Sequence, residues 1–480
     1  MKIFFILLTL STFILGCKKK NSQIDPQSQC LTPTEVKIQH ISGQEVSFSL
    51  VGTDSTSVGK VSWTIISEEK TIQIETTGKT GVTQNFSKSG QFRVTAVVST
   101  TCQSKITLTR SESIKIEQYS LQWATDIGSF IDTTSWVLAE SPNGGCIAVG
   151  SGASYPTIIN LNKEGNILWK TELREDSYER IYSVVNADDG GYILGGQWYN
   201  GEARYGITKI SPSGEKVWAK TFAGIGNPYS GQTWDRLTKV INASDGGYVL
   251  AGYSSSLKGN DKSDAPKNDN APRNYTLTDY WIIKVDAQGN KVWDKTIGGK
   301  DPEALINIIA TSDGGYLLSG WSSSQVSGDK TNDVDGASDL WFVKISKTGT
   351  IEWDRSTSYP SGWGSSIATD DSMIGLTYNG INRIGIRKVD NQGTTIWEKE
   401  IQGTYATLLP AEDGGFMMIG KLDQDNFIKF SKDGNIEQRK KIDFGDRYLS
   451  GWGNGANKST SGGFYGLLYS GKNQSIFYVK

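Results

Sequence analysis

One recurring motif decides what this chain can fold into. Between Tyr119 and Lys480 the pattern Asp-Gly-Gly, an aromatic residue, an alternating apolar strand and a further Gly keeps returning. Its glycine pairs are Gly144-Gly145, Gly190-Gly191, Gly246-Gly247, Gly314-Gly315, Gly414-Gly415 and Gly462-Gly463, with a degenerate copy at Asp371-Ser372. Each copy runs on through a loop of variable length, an apolar strand ending in Lys and an apolar residue, a turn containing Gly, and a strand that closes on Trp. The closing residues are Trp169, Trp218, Trp293, Trp353 and Trp397, and Gln438 takes that place in one copy. Units of this kind cannot bury their apolar faces alone and must stack. The last copy stops at Phe477-Tyr478-Val479-Lys480, short of its closing strand, and Ser120-Leu121-Gln122-Trp123 supplies a strand of the same character ahead of the first. An early strand that completes the last unit closes a ring and removes an unpaired sheet edge. The expectation is an all-β chain in which residues 118–480 form a seven-bladed β-propeller closed by an N-terminal strand.

Composition narrows the chemistry. The 480 residues carry 49 Lys plus Arg against 51 Asp plus Glu, so no basic footprint for nucleic acid exists. A single histidine, His40, removes Ser-His-Asp, Cys-His and multi-His metal chemistry, which need an imidazole as base or ligand. His40 falls in a strand and reads as structural or as a surface residue. The 55 glycines and 11 prolines fit many tight turns between strands. No cofactor or metal is expected, and the chain reads as a monomer.

The head of the chain is an address. Residues 1–16, MKIFFILLTLSTFILG, are an apolar run too short to span about 30 Å of hydrocarbon as a helix. Ile14-Leu15-Gly16-Cys17 resembles the lipobox of bacterial lipoproteins, which implies cleavage before Cys17 and a lipidated Cys17 that holds the protein on a membrane. Residues 17–29 are a polar tether. Position 18 is Lys, not the Asp that would retain a lipoprotein in the inner membrane.

Residues 30–117 alternate apolar and polar positions over seven short segments, the pattern of a small β-sandwich. Trp63 occupies the third segment, a core position. Ser89-Gly90-Gln91-Phe92-Arg93-Val94 resembles the signature of PKD and related Ig-like domains. Cys30 and Cys102 bracket this domain, and an exported compartment permits their disulfide.

The later repeats, carried by Asp313-Gly314-Gly315-Tyr316-Leu317-Leu318-Ser319-Gly320, Leu340-Trp341-Phe342-Val343-Lys344-Ile345, Gly349 and Trp353, resemble the quinoprotein-like and delta-60-like propeller repeats of Bacteroidota lipoproteins. The resemblance implies a fold, and the family's quinone and Ca²⁺ ligands have no match here. In such lipoproteins surface export goes with acidic residues after the Cys, whereas Lys18, Lys19 and Lys20 follow it in this chain. The periplasmic leaflet of the outer membrane is therefore expected.

Strand directions alternate, so the loops after the second strands and the connections between blades share one face. Ser254 to Thr278 and Ser322 to Ser338 are long insertions on it. Rim positions at the starts of the innermost strands hold Trp136, Tyr178, Arg180, Trp234, Arg236, Glu303, Trp363, Tyr405 and Trp452, aromatic rings and orienting charges suited to a glycan, a peptide or a protein partner. The expectation is a lipid-anchored, non-catalytic binding or scaffold module. Its alternative is a glycan-active enzyme using Glu179, Asp235 and Glu303 as acid and base. Asp261, Asp264 and Asp269, and Asp329, Asp333, Asp335 and Asp339, lack the spacing of a Ca²⁺ loop and read as solvated acidic loops. Cys146 stands where other copies have Tyr and reads as a buried strand thiol.

Overall fold

The computed structural model describes residues 31–480 except 43–44, 68–69, 87–89, 101–104, 115–120, 130–135, 152–154, 175–177, 227–233, 268–276, 334–337, 359–365, 370–371, 379–381, 391–393, 412, 446–447, 450–455, 461–462 and 471–472. Cys17, Cys30 and Cys102 lie outside the described residues. The described secondary structure is all strand. Residues up to Lys115 make one compact unit, with His40–Glu45 grouped with the second, which runs from Ile116 to Lys480.

In the first unit Glu35–Ser42, Glu45–Val51 and Gly81–Asn85 form one sheet, and Thr71–Thr77, Val58–Ile66, Gly90–Thr100 and Lys105–Ile114 form another in that order. Inward positions of Val58–Ile66 alternate with outward ones, as a half-buried strand requires. Trp63 is buried there, and its indole N–H donates to Thr76 Oγ1 at 3.3 Å.

The second unit is a succession of antiparallel meanders. The first sheet comprises Trp136–Glu140, Cys146–Ser151, Pro156–Leu161 and Ile167–Glu172, and the second Tyr178–Asn186, Tyr192–Tyr199, Ala203–Ile210 and Lys216–Phe222. The third comprises Arg236–Asn242, Tyr248–Ser254, Asp279–Val285 and Lys291–Ile297, and the fourth Glu303–Ala310, Tyr316–Ser322, Asp339–Ile345 and Ile351–Ser358. Two further meanders share the 16-residue strand Thr395–Pro410. In the last sheet Asn473–Val479 pairs antiparallel with Leu121–Ser129.

The motif residues explain this geometry. Gly144, Gly190, Gly314 and Gly414 take φ of 77° to 82°, which a side chain resists. The second glycine of the pair serves a different end. A Cβ on Gly145, Gly191, Gly315 or Gly415 would strike the carbonyl oxygen of Leu161, Ile210, Ile345 or Phe430 on the third strand. The Asp of the motif ties the turn to the Lys that ends the third strand: Asp189 to Lys209, Asp313 to Lys344 and Asp413 to Lys429, at 2.6 to 2.8 Å. That Lys344 contact holds the Asp313 carboxyl down at about 2.

Four of the closing Trp residues lie on the next sheet's late turn: Trp169 on Gly214, Trp218 on Gly289, Trp293 on Gly349 and Trp397 on Gly434. Trp123, on the strand that completes the last sheet, lies on Gly165 of the first and donates to Lys163 O at 2.9 Å. The same ring-on-turn contact therefore links last sheet to first, and the sheets close into a β-propeller. The core lies between successive sheets, as where Val149, Ile158 and Ile181 pack with Tyr192 and Leu194.

Candidate ligand-binding face

The insertions of the third and fourth sheets are built on one plan. Ser254, Ser256, Lys262, Ser263, Asp279, Trp281 and Asp294 in the third are repeated in order by Ser322, Ser324, Lys330, Thr331, Asp339, Trp341 and Asp354 in the fourth. Both lysines are buried. Lys262 Nζ donates to Ser254 Oγ at 2.8 Å and to Ser256 O at 2.9 Å, and Lys330 Nζ to Ser324 O at 2.8 Å and Asp339 Oδ2 at 2.9 Å. The residue after each lysine bonds the carboxylate of the fourth strand, Ser263 to Asp294 and Thr331 to Asp354. The same carboxylates accept from the indoles of Trp281 and Trp341, each at 3.0 Å. A buried ammonium is tolerable only when acceptors surround it, and meeting that need folds each polar insertion onto its sheet.

Asp261 and Asp329 carry the clamp to the preceding sheet. They accept from Ala223 N at 3.1 Å and Gly298 N at 3.2 Å, just past the fourth strands of the second and third sheets. Asp264 approaches Lys295 at 3.8 Å, and Asp333 accepts from Val326 N at 3.1 Å. The solvated-loop expectation is thus corrected for Asp261, Asp264, Asp329 and buried Asp339, which backbone donors and lysines recruit, while Asp333 stays exposed as expected. Asp269 and Asp335 fall outside the described residues.

Asp235 and Glu303 occupy equivalent places at the entries of the third and fourth sheets, and both are 0% exposed. Asp235 accepts from Ser256 Oγ. Glu303 accepts from Ser322 Oγ at 2.8 Å, Ser324 Oγ at 2.6 Å and Gly299 N at 2.9 Å. Asp279 meets Glu303 from the other side, accepting from Lys267 N at 2.8 Å with its second oxygen. A Cβ on Gly298 would touch Asp279 Oδ1 and Glu303 Oε2 together, so only glycine fits over this pair. Burial pushes Asp279 up to about 6 and Glu303 to about 8, and the charge of Asp279 adds to the rise of Glu303. The same burial raises Asp235 and pushes Lys262 down, against the pull of Asp235 and Asp279. Glu303 and Asp235, expected on an open rim, are therefore sealed anchors of the clamp, and Glu303 is not placed to touch a ligand. Acid–base work on a glycosidic bond needs both carboxyls within reach of the sugar. The side chain of Glu179 lies outside the described residues.

The other rim positions divide. Trp136 is 3% exposed and packs with Leu138, Ala148 and Tyr469, its ring lying on Gly150. It is core, not rim, because the glycine opposite leaves room for the indole. Tyr405 is half-buried and its hydroxyl donates to Leu449 O at 3.2 Å. Arg180 is half-buried, the side chain of Tyr178 lies outside the described residues, and so do Trp363 and Trp452. Trp234 is different, at 53% exposed. Its backbone is nevertheless fixed: its N–H donates to Ser255 Oγ at 2.9 Å, and it forms a parallel bridge with Ala203. Arg236 lays its guanidinium 4.5 Å from the centre of the Tyr182 ring and donates to Tyr253 Oη at 3.4 Å. Cys146 is free and buried, and burial pushes its thiol far up, away from reactivity.

The second unit is a β-propeller whose one face carries two clamped insertions and a fixed, exposed indole. No family model matches the chain. The regulatory protein FlaEY of Caulobacter vibrioides is 25% identical over 259 residues, 53% of this chain, and the match spans 25% of that relative's length. Among solved structures, a quinonprotein alcohol dehydrogenase-like protein of Bacteroides thetaiotaomicron is 11% identical, covering 84% of this chain and 93% of that one at a TM-score of 0.36. The periplasmic gluconolactonase of Pseudomonas aeruginosa is 10% identical, covering 80% and 98% at 0.37. The β-propeller domain of the trilobed protease of Pyrococcus furiosus is 8% identical, covering 85% and 100% at 0.35.

Proposed function

We propose that this chain is a lipid-anchored envelope protein in which an Ig-like or PKD-like sandwich precedes a seven-bladed propeller, and that the propeller acts as a non-catalytic binding module. Cys17 carries the lipid, Cys30 pairs with Cys102, and the periplasmic side of the outer membrane is its place. The ligand binds the face that carries the insertions. One observation carries this reading: Trp234 presents about half its surface to solvent although its main chain is held at both sides. A large apolar ring exposed on a fixed backbone is the form of a binding anchor, since little entropy remains to be lost on contact. The sealed state of Asp235 and Glu303 favours binding over carboxylate catalysis.

The test is capture of envelope glycans and proteins by the whole chain beside its Trp234→Ala and Arg236→Ala variants. Loss of a partner in both variants supports the reading. Unchanged capture in both rejects this face as the site.

A further inference from the structure

Trp234 has a counterpart that the rim pattern does not reveal. Tyr199 ends the second strand of the second sheet and is 49% exposed. It pairs directly with Ala203 across the turn Asn200-Gly201-Glu202, and Ala203 in turn bridges Trp234. Residues opposite one another in a sheet project to the same side. Tyr199, Ala203 and Trp234 thus form one row, in which Ala203 is buried and the two rings stand exposed on either side of it. Neighbouring strands lie about 4.8 Å apart, which sets the rings roughly 10 Å apart along the row. The turn is tight, with Gly201 at φ 81° and Asn200 N donating to Glu202 O at 3.3 Å, so Tyr199 is as firmly placed as Trp234.

Charge completes the surface. Asp235 turns into the clamp, so in an extended segment Arg236 projects to the side of Trp234, about 7 Å further on. Among the described residues no carboxylate pairs with Arg236, whose contacts are the Tyr182 ring and Tyr253 Oη. The neighbouring cation, Arg204, is already matched by Glu202 at 3.2 Å. A guanidinium with donors to spare beside two spaced ring faces suits a chain of flat, C–H-bearing units that carry carboxylates.

Building on the binding role proposed above, we infer that the row Tyr199, Ala203 and Trp234 holds an acidic oligosaccharide, two of its sugar rings stacking on the two aromatic faces and a uronate carboxylate meeting Arg236.

Calorimetry with the whole chain tests this, using a hexamer of β-1,4-linked mannuronic acid and cellohexaose as its neutral counterpart. The acidic hexamer is expected to bind more tightly than cellohexaose and to weaken with added salt. Tyr199→Ala and Trp234→Ala should each cost about tenfold or more in affinity. Arg236→Gln should erase the preference for acid over neutral while the thermal midpoint stays unchanged. Absence of acidic-hexamer binding by the parent chain, or equal binding by Trp234→Ala, overturns the inference. If Trp234→Ala loses an envelope protein while neither sugar binds, the saccharide assignment falls and the binding face stands. If the acidic hexamer binds but no variant on the row alters it, the face itself falls.

Discussion

Asp279 and Glu303 meet beneath Gly298, one carboxyl from each of two adjacent sheets, with no room for a Cβ above them. Burial holds them near about 6 and about 8, where isolated Asp and Glu would have ionised at 3.8 and 4.5. The native state therefore keeps protons that the unfolded chain releases. Its stabilisation is complete below pH about 4, declines as pH rises and is exhausted above pH about 8, on the order of a few kcal/mol in all. Urea unfolding at pH 5 and pH 9 should show this loss. Glu303→Gln, which donates an N–H at every pH, should flatten the slope and outlast the parent chain at pH 9. A parent chain equally stable at both pH values would contradict the raised carboxyls.

Lys330 and Asp339 are a sealed ion pair. Lys330→Met leaves the carboxylate buried without its cation, and a loss of about 3–5 kcal/mol is expected. The double variant Lys330→Met with Asp339→Leu should recover most of it, since apolar groups of similar size replace buried pairs well. Denaturant midpoints of the three chains decide this. Lys262→Met should cost less, because its nearest partners are Ser254 Oγ and Ser256 O, both neutral.

Trp136 and Trp234 should respond in opposite ways. Trp136→Ala empties a packed position and should cost about 3–5 kcal/mol of stability. Trp234→Ala should change stability by within about 0.5 kcal/mol while removing a binding anchor. Thermal melts read beside ligand capture separate the two.

Gly165 has φ of 83° and carries the Trp123 ring. Gly165→Val should cost about 1–3 kcal/mol in backbone strain alone and should loosen the strand that completes the last sheet. Light scattering would report the exposed edge as association. Gly214→Val, at the equivalent turn of the second sheet, should cost similar stability with less association.

Much of the fold was legible because its cause repeats. The Asp-Gly-Gly turn, the Lys that answers its Asp and the closing Trp recur at a spacing that only stacked sheets satisfy, and Trp123 stood outside that series until the last copy proved one strand short. The roles of the two glycines were not legible, since a left-handed turn and a close carbonyl look alike in letters. The rim was harder to read. Trp136 and Trp234 occupy comparable places, and what separates them is Gly150, a glycine on the neighbouring strand that makes room for one indole. The clamp stands in the sequence as a second repeat, Ser-x-Ser, Lys-Ser or Lys-Thr, Asp-x-Trp and a later Asp, yet the burial of its lysines cannot be read from composition. Tyr199 was missed because its significance lies across a turn, in its pairing with Ala203.

The strand that completes the last sheet stands far from its partner along the chain. Gln122 reaches Lys480 across 358 residues. Local meanders pair strands close in sequence, but this pairing joins two ends of the ring. Closure therefore joins parts of the chain that are far apart in sequence, and before it Leu121–Ser129 is an unpaired edge of the kind that invites association.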